Sequence, residues 1–286
     1  MERVIDPIDD ILAAHSLKAP WEPLPDTGLA NRIYATKDVV IRVAREHDEA
    51  LRDAKTESIA APIAYAAGVL TPQLIAYDDS RTLIDAPYTI WERVHGETLG
   101  LLAVDPSTVP NTWREVGRQM GRLHTQVTPF EDANNDLHAP SRNLRLRSLL
   151  EKALSSGLLA KDVADDISEL IDQLQNAVHE NISTCFLHSD IHDMNIMCTR
   201  DDKLLAVIDW GDAGWGDPTF DFAQIPLDAM SLVLEGYTEI APEILPETLP
   251  ELTIWDKIDR GLEWLCGQRS VEIPLDDYRQ FLGRQG

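Results

Sequence analysis

Residues 186–197 read FLHSDIHDMNIM and place several polar side chains between two apolar, strand-like runs. His188, Asp190 and Asn195 form the pattern H-x-D-x-x-x-x-N, and Asp209 follows fourteen residues later in VIDWG. Phosphoryl transfer needs such a set, because one carboxylate orients the attacking hydroxyl while an amide oxygen and a second carboxylate hold Mg²⁺ against a triphosphate. The spacing therefore predicts Asp190 as the catalytic residue and Asn195 and Asp209 as ligands of Mg²⁺.

This run and the segment LLAVIDWGDAGWGDPTFDFA after it resemble the signature of the aminoglycoside phosphotransferase and choline kinase superfamily. In that superfamily the signature is usually H-G-D-x-H-x-x-N, then I-D-W or I-D-F, then G-D-P-x-x-D-x-A. The resemblance implies a small-molecule kinase of protein-kinase-like fold that uses ATP, or GTP, with Mg²⁺. It also implies that His188 is a packing residue and that Asp217 and Asp221 brace the loop. Ser189 replaces the usual glycine, and we expect this to be tolerated at a negative φ.

The elements that must position these residues change character near residue 95. Strand-like runs separated by turn compositions dominate before it, and apolar residues at helical spacing dominate after it. A helix is expected from about Asp48 to Ala61, where Pro62 ends it or opens a second short helix. We therefore expect an α+β fold of two lobes with a ligand cleft between them: an N-terminal five-stranded antiparallel sheet with one main helix (1–95) and a larger, mostly helical C-terminal lobe (96–286). The strand-like runs of the first lobe are WEPLP, RIYAT, VVIRVA, LIAYDD, TLID and YTIWERV.

The resemblance further implies nucleotide contacts in the first lobe. Arg42 takes the place of the phosphate-binding lysine, and its guanidinium can pair with phosphate oxygens and with a carboxylate. Glu57 is the favoured partner of Arg42 and Glu49 is the alternative, since sequence does not determine the helix register. The other expected contacts come from the loop PDTGLANRIY and the hinge: Gly28, Asn31, the carbonyl of Glu92 and the N–H of Val94.

The formal net charge of −24 indicates which partners are compatible with the surface. Such a surface repels phosphate backbones, so nucleic acid is not expected, and it suits a cationic small-molecule acceptor. We expect acceptor contacts from Asp193 and from the helix with Asp256, Asp259 and Glu263, where Trp255 and Trp264 are candidate aromatic walls. The same helix can equally be an acidic, solvated helix with core tryptophans.

Several alternatives stay open at the level of sequence. The acceptor is most simply an aminoglycoside-type antibiotic, but a macrolide, choline or ethanolamine, a sugar or an amino-acid metabolite fits the same signature. Two other classes are a nucleotide-binding pseudokinase and a metallohydrolase with ligands His188, Asp190, His192 and Asp193. The acidic N-terminus, unpaired cysteines and absence of a long apolar run predict a cytoplasmic protein outside the membrane, either a monomer or a homodimer.

Overall fold

The computed structural model describes residues 6–17, 19–25, 30–132, 134–179, 182–267, 269 and 271–283. Within this part of the chain an N-terminal antiparallel sheet has five strands in the order β1-β2-β3-β5-β4. Its strands are β1 (Glu22–Pro23), β2 (Asn31–Ala35), β3 (Val39–Ala44), β4 (Leu74–Asp78) and β5 (Tyr88–Glu92). The α+β prediction and its five-stranded sheet are confirmed, whereas the run TLID at 82–85 is a bend and not a strand.

Strand β3 lies at the centre of this sheet and presents two different faces. Val39, Ile41 and Val43 alternate along the strand and are buried against helix α1 (Ile8–Ala14) on one side. Because side chains alternate across a strand, Arg42 points to the other side. That side carries helix α2 (Asp48–Ala66), so the strand delivers Arg42 toward α2 and the cleft.

Helix α2 continues through Pro62, although a stop or a second helix is expected there from sequence. Proline removes one backbone hydrogen bond and normally weakens a helix interior. Here Ala60, Ala61 and Ala64 are fully buried in a cluster with Trp91 and Trp210, so packing on both sides of the proline keeps the helix in one piece.

The larger lobe is mostly helical and carries two small sheets. Strands β6 (Glu97–Thr98), β8 (Ile196–Thr199) and β9 (Lys203–Val207) form one sheet, and β7 (Cys185–Leu187) pairs with β10 (Gly214–Gly216) in the other. The helices are α3 (Leu99–Leu102), α4 (Pro110–Gln126), α5 (Leu146–Ser155), α6 (Lys161–Leu174), α7 (Met230–Thr238), α8 (Leu249–Cys266) and α9 (Leu275–Gly283). Among the described residues, no helix is both long and apolar enough to cross a membrane.

Helices α4 and α7 pack with their backbones in contact at glycines. A Cβ atom at Gly117 would lie 2.0 Å from the carbonyl oxygen of Val233, and one at Gly236 would lie 1.8 Å from that of Arg114. Neither position accepts a side chain, so only glycine permits this approach. The close contact brings His124, at the end of α4, next to Tyr237 of α7.

Candidate active site

The loop after β7 has an unusual backbone conformation at Ser189, whose φ is +68°. The negative φ at which the serine would be tolerated is therefore not present, and a non-glycine residue in this region costs on the order of 1–3 kcal/mol. The cost is offset by Asp221, a fully buried carboxylate that accepts bonds from the backbone N–H groups of His188 (3.2 Å) and Ser189 (2.6 Å). This turn directs the next residue, Asp190, into the cleft.

A chain of buried polar groups holds Asp221 in turn. His124 Nε2 lies 2.9 Å from Asp221 Oδ2, and His124 Nδ1 lies 2.8 Å from the hydroxyl of Tyr237. Sequence reasoning missed His124 and Tyr237, although a histidine on the apolar face of a predicted helix was a usable signal. Asp217, the other acid of the G-D-P-x-x-D element, accepts a bond from Arg142.

The carboxylate of Asp190 is surrounded by hydrogen-bond donors on both oxygens. Oδ2 faces Asn195 Nδ2 at 3.0 Å and His192 Nε2 at 3.4 Å, while Oδ1 accepts a bond from Gln224 and lies 3.9 Å from Arg260 Nη1. Burial alone would raise the pKa of Asp190, but His192, His188 and Gln224 outweigh it and lower that pKa to about 2. The residue is therefore ionised and ready to accept a hydrogen bond from a hydroxyl.

Asn195 and Asp209 present oxygen atoms at the neighbouring ends of β8 and β9. The side-chain amide of Asn195 donates to the carbonyl and carboxylate oxygens of Asp190, which leaves its Oδ1 atom as an acceptor. Asp209 is half-exposed, and the backbone N–H of Ile208 beside it donates to the carbonyl of Asn195 at 2.9 Å. One amide oxygen and one carboxylate form a donor set that suits Mg²⁺.

The alternative metal cluster of a hydrolase does not form. His188 Nε2 lies 3.0 Å from the carbonyl of Ile208, and its Nδ1 accepts the backbone N–H of Asp190 at 3.3 Å, so both ring nitrogens are engaged within the chain. His192 Nδ1 accepts the N–H of Met194. Among the described residues there is no group of three or more histidine, cysteine, aspartate or glutamate side chains that could hold a metal ion.

A pocket of about 510 Å³ lies between the five-stranded sheet and β8–β9. In it Arg42 pairs with Glu57 (2.5 Å) and with Asp209 (2.9 Å), which decides between the two glutamates considered for Arg42. Burial raises the pKa of Glu57 to about 7 despite the opposing effect of Arg42. The pocket gathers seven of the sequence-predicted residues: Asn31, Arg42, Glu57, Glu92, Val94, Asn195 and Asp209. Gly28 lies outside the described residues.

A second pocket of about 600 Å³ opens on the other side of Asp190. It lies between α8, α9 and the segment 223–228, and Gln224 and Arg260 join it to Asp190. A smaller pocket of about 290 Å³ adjoins it at Arg260 and is lined by Asp212, Asp259 and Glu263. Burial raises the pKa of Asp259 to about 6, although its bond with Asn143 opposes the shift. Gln224 and Arg260 were missed by sequence reasoning.

Three of the residues expected at the acceptor site do not line the large pocket. Asp256 borders the smaller pocket, but both of its oxygens bind the guanidinium of Arg142, at 2.8 and 2.7 Å, so its carboxylate is a structural partner. Trp255 is buried and donates to the carbonyl of Asn143, which makes it a core residue. Asp193 lines a pocket of about 160 Å³ together with Leu99 and Trp113, and its Oδ1 atom lies 3.5 Å from His192 Nδ1. Trp264 does line the large pocket.

Comparison with known structures identifies the fold first. It is the bilobal protein-kinase-like fold. A GDP and kanamycin complex of APH(2")-IIia matches with a TM-score of 0.65, 16% identity, and coverage of 97% of this chain and 96% of that chain. A spectinomycin phosphotransferase, APH(9)-Ia, with ADP and spectinomycin, matches with a TM-score of 0.63, 12% identity, and coverage of 97% and 93%. A choline/ethanolamine kinase family protein from Mesorhizobium loti matches with a TM-score of 0.58, 18% identity, and coverage of 97% and 93%.

The family model of the phosphotransferase enzyme family (APH) matches residues 22–240, and the chain belongs to that family. It is a small-molecule phosphotransferase with a nucleotide-binding fold. No curated protein sequence matches the chain at a significant level.

Proposed function

We propose that the protein transfers the γ-phosphoryl group of ATP, or of GTP, to a hydroxyl group of a small molecule. One observation carries this proposal: Asp190 stands between two pockets of different character. On one side lies the pocket with Arg42, Asn195 and Asp209, and on the other lies the pocket reached through Gln224 and Arg260. A carboxylate in that position can orient a hydroxyl from the second pocket toward a phosphoryl group in the first.

Each residue then has a defined task. Asp190 accepts the hydrogen bond of the attacking hydroxyl and takes its proton as the new P–O bond forms. Arg42, braced by Glu57, contacts the phosphates, and the backbone of Glu92 and Val94 contacts the base. Asn195 and Asp209 would hold Mg²⁺, which supplies charge neutralisation at the β- and γ-phosphates when bound. All three catalytic positions are filled, which argues against a pseudokinase.

We infer that the acceptor is an aminoglycoside-type compound. Asp212, Asp259 and Glu263 give the smaller pocket a carboxylate lining, and ionised carboxylates bind ammonium groups well when partly desolvated. Support also comes from the fold neighbours whose structures contain kanamycin and spectinomycin. The net charge of −24 adds a long-range attraction for a polycation.

One observation favours a second candidate, an amino-acid metabolite with a carboxylate. Arg260 forms no hydrogen bond to the residues that the structure describes; its guanidinium lies 3.9 Å from Asp190 Oδ1 and 5.9 Å from the centre of the Trp264 ring. A guanidinium with free donors beside the catalytic carboxylate could bind an anionic group of the acceptor. Choline or ethanolamine, a macrolide and a neutral sugar complete the set of acceptors to be compared.

The test combines an acceptor panel with two substitutions. Kanamycin-like, macrolide, choline-like, sugar and hydroxy-acid acceptors are assayed for nucleoside diphosphate release. Asp190→Ala should nearly abolish transfer while nucleotide binding is retained, whereas Asp209→Ala should also lose metal-dependent nucleotide affinity. The exposed Asp201→Ala serves as the matched control. Wild-type turnover in both variants would refute the roles, and turnover of a neutral acceptor alone would refute the aminoglycoside assignment.

The lobe boundary, the cellular location and the partners of the enzyme are also part of the proposal. We propose that the lobes meet near residues 95 and 96 and that the protein acts in the cytoplasm, without nucleic acid or membrane, as a monomer or a homodimer. The strongly acidic surface supports the exclusion of polyanionic partners.

A further inference from the structure

The two oxygens of Asp190 face different pockets. Oδ2 faces Asn195 and His192, which line the pocket between the lobes. Oδ1 faces Gln224 and Arg260, which line the pocket of about 600 Å³. An acceptor that enters the large pocket therefore meets Oδ1, and its hydroxyl must donate a hydrogen bond there.

In the structure a donor already occupies that position. The side-chain amide of Gln224 donates to Asp190 Oδ1. An amide N–H resembles a hydroxyl in one respect, because both can donate a hydrogen bond to the carboxylate oxygen. Water that would otherwise solvate Oδ1 is thereby displaced from this side of the carboxylate.

The backbone around Gln224 is held while its side chain stays free to rotate. Lys257 Nζ donates to the carbonyls of Ala223 (2.9 Å) and Ile225 (2.8 Å), one residue before and one after Gln224. Gln224 itself is half-buried, follows a short 3-10 helix (Pro218–Phe222), and its only hydrogen bond among the described residues is the one to Asp190. The side chain can therefore leave Asp190 without movement of the segment that carries it.

We propose that Gln224 is a positioning residue that takes the place of the acceptor hydroxyl on Asp190 and leaves it when the acceptor binds. In the acceptor-free enzyme it aligns the carboxylate and keeps water from Oδ1. Water reaching Oδ1 would attack the γ-phosphorus, the bond from that phosphorus to the β,γ-bridging oxygen would break, and nucleoside diphosphate and inorganic phosphate would form. Gln224 thus favours transfer to the acceptor over transfer to water. The inference rests on the proposed role of Asp190.

Two variants separate the two effects of the Gln224 amide, which are competition with the acceptor hydroxyl and exclusion of water from Asp190 Oδ1. Gln224→Met keeps the side-chain volume but has no donor, so the acceptor no longer competes with an amide, and its KM should fall by at least about tenfold, the lower bound for a hydrogen bond to a charged group. Gln224→Ala removes both donor and volume, so water can enter, and acceptor-independent phosphate release should rise about tenfold relative to transfer. The exposed Gln173→Met on α6 is the matched control and should change neither quantity.

The measurements are phosphate release without acceptor, kcat and KM for the best acceptor of the panel, nucleotide affinity and melting temperature. A rise in acceptor KM with a fall in kcat in Gln224→Met, and an unchanged ratio of hydrolysis to transfer in Gln224→Ala, would show that Gln224 is a fixed brace and would overturn the inference alone. A loss of stability would lower transfer and hydrolysis together and leave their ratio unchanged, which also counts against it. Absence of transfer from the wild type to any acceptor would overturn the proposed function and this inference together.

Discussion

The brace formed by Asp221 can be tested by Asp221→Asn, which keeps the shape of the side chain and removes its charge. Asp221 accepts three bonds, from the N–H groups of His188 and Ser189 and from His124 Nε2. In its best orientation the asparagine side chain accepts the N–H of Ser189 with its oxygen and donates from its NH₂ group to His124. His124 is then the neutral tautomer whose Nε2 atom accepts a hydrogen bond. The N–H of His188 is then left facing a donor.

The expected loss in the free energy of unfolding follows from the number of hydrogen bonds that Asp221→Asn removes or weakens. Loss of one hydrogen bond to a charged group is worth about 1.5–3 kcal/mol, and the bond to Ser189 weakens from charged to neutral by about 1 kcal/mol. We therefore expect the free energy of unfolding to fall by about 3 kcal/mol and the Tm by roughly 6–12 °C. A shift of Asp190 on the order of 1 Å would lower kcat by up to about 100-fold, while the contacts of Arg42 in the nucleotide pocket stay intact.

The assay is urea unfolding together with steady-state transfer and nucleotide titration. The exposed Asp201→Asn is the matched control and should leave all three measurements unchanged. Ser189→Gly in the Asp221→Asn background should restore part of the stability, because glycine adopts a φ of +68° without steric cost. Unfolding of Asp221→Asn within about 0.5 kcal/mol of the wild type, with turnover within about twofold, would refute the reasoning.

Three further predictions concern the binding of the nucleotide and of the acceptor. Arg42→Lys should weaken nucleotide binding about tenfold, since an ammonium lacks the planar fork whose two nitrogens pair separately with Glu57 and Asp209, and an unchanged Kd in titration would contradict this. The KM of an amino-sugar acceptor should rise as the pH falls below about 6, because Asp259 then protonates and loses its attraction for ammonium; Asp259→Asn should reduce this pH dependence, while Asp212, whose pKa burial also raises, keeps a part of it. That KM should also rise steeply with ionic strength, whereas a neutral acceptor should show a flat salt profile in the same assay.

The proximity of Asp190, Asn195 and Asp209 could be predicted from sequence, because these residues are close together in the chain. Asp190, Asn195 and Asp209 lie within twenty residues of one another, on a loop and the hairpin after it, so the short-range geometry of the chain brings them together. Arg42 could be placed because the resemblance puts it at the position of the phosphate-binding lysine, and the structure sets it on the face of β3 opposite Val39, Ile41 and Val43. The choice between two glutamates needed the register of α2, which depends on how the helix packs against the sheet.

The acceptor side could not be read in the same way, because its contacts depend on tertiary packing. Asp256 was indistinguishable in sequence from an exposed acid, yet Arg142, more than a hundred residues away, occupies its carboxylate. Gln224 carried a weak signal as the polar residue in the apolar run FAQIPL, but nothing local relates it to Asp190. The backbone conformation of Ser189 likewise depends on a hydrogen bond that its N–H group donates to Asp221, 32 residues later.

The glycine contact between α4 and α7 limits which substitutions the sequence of this protein can accept during evolution. With no space for even one methyl group at Gly117 or Gly236, the two helices cannot slide or separate without breaking the contact. A chain of hydrogen bonds through Tyr237, His124 and Asp221 connects the two helices to the loop that carries Asp190. Substitutions along α9 can therefore change the shape of the acceptor pocket with little effect on kcat. A methyl group added at Gly117 or Gly236 would instead lower kcat for every acceptor.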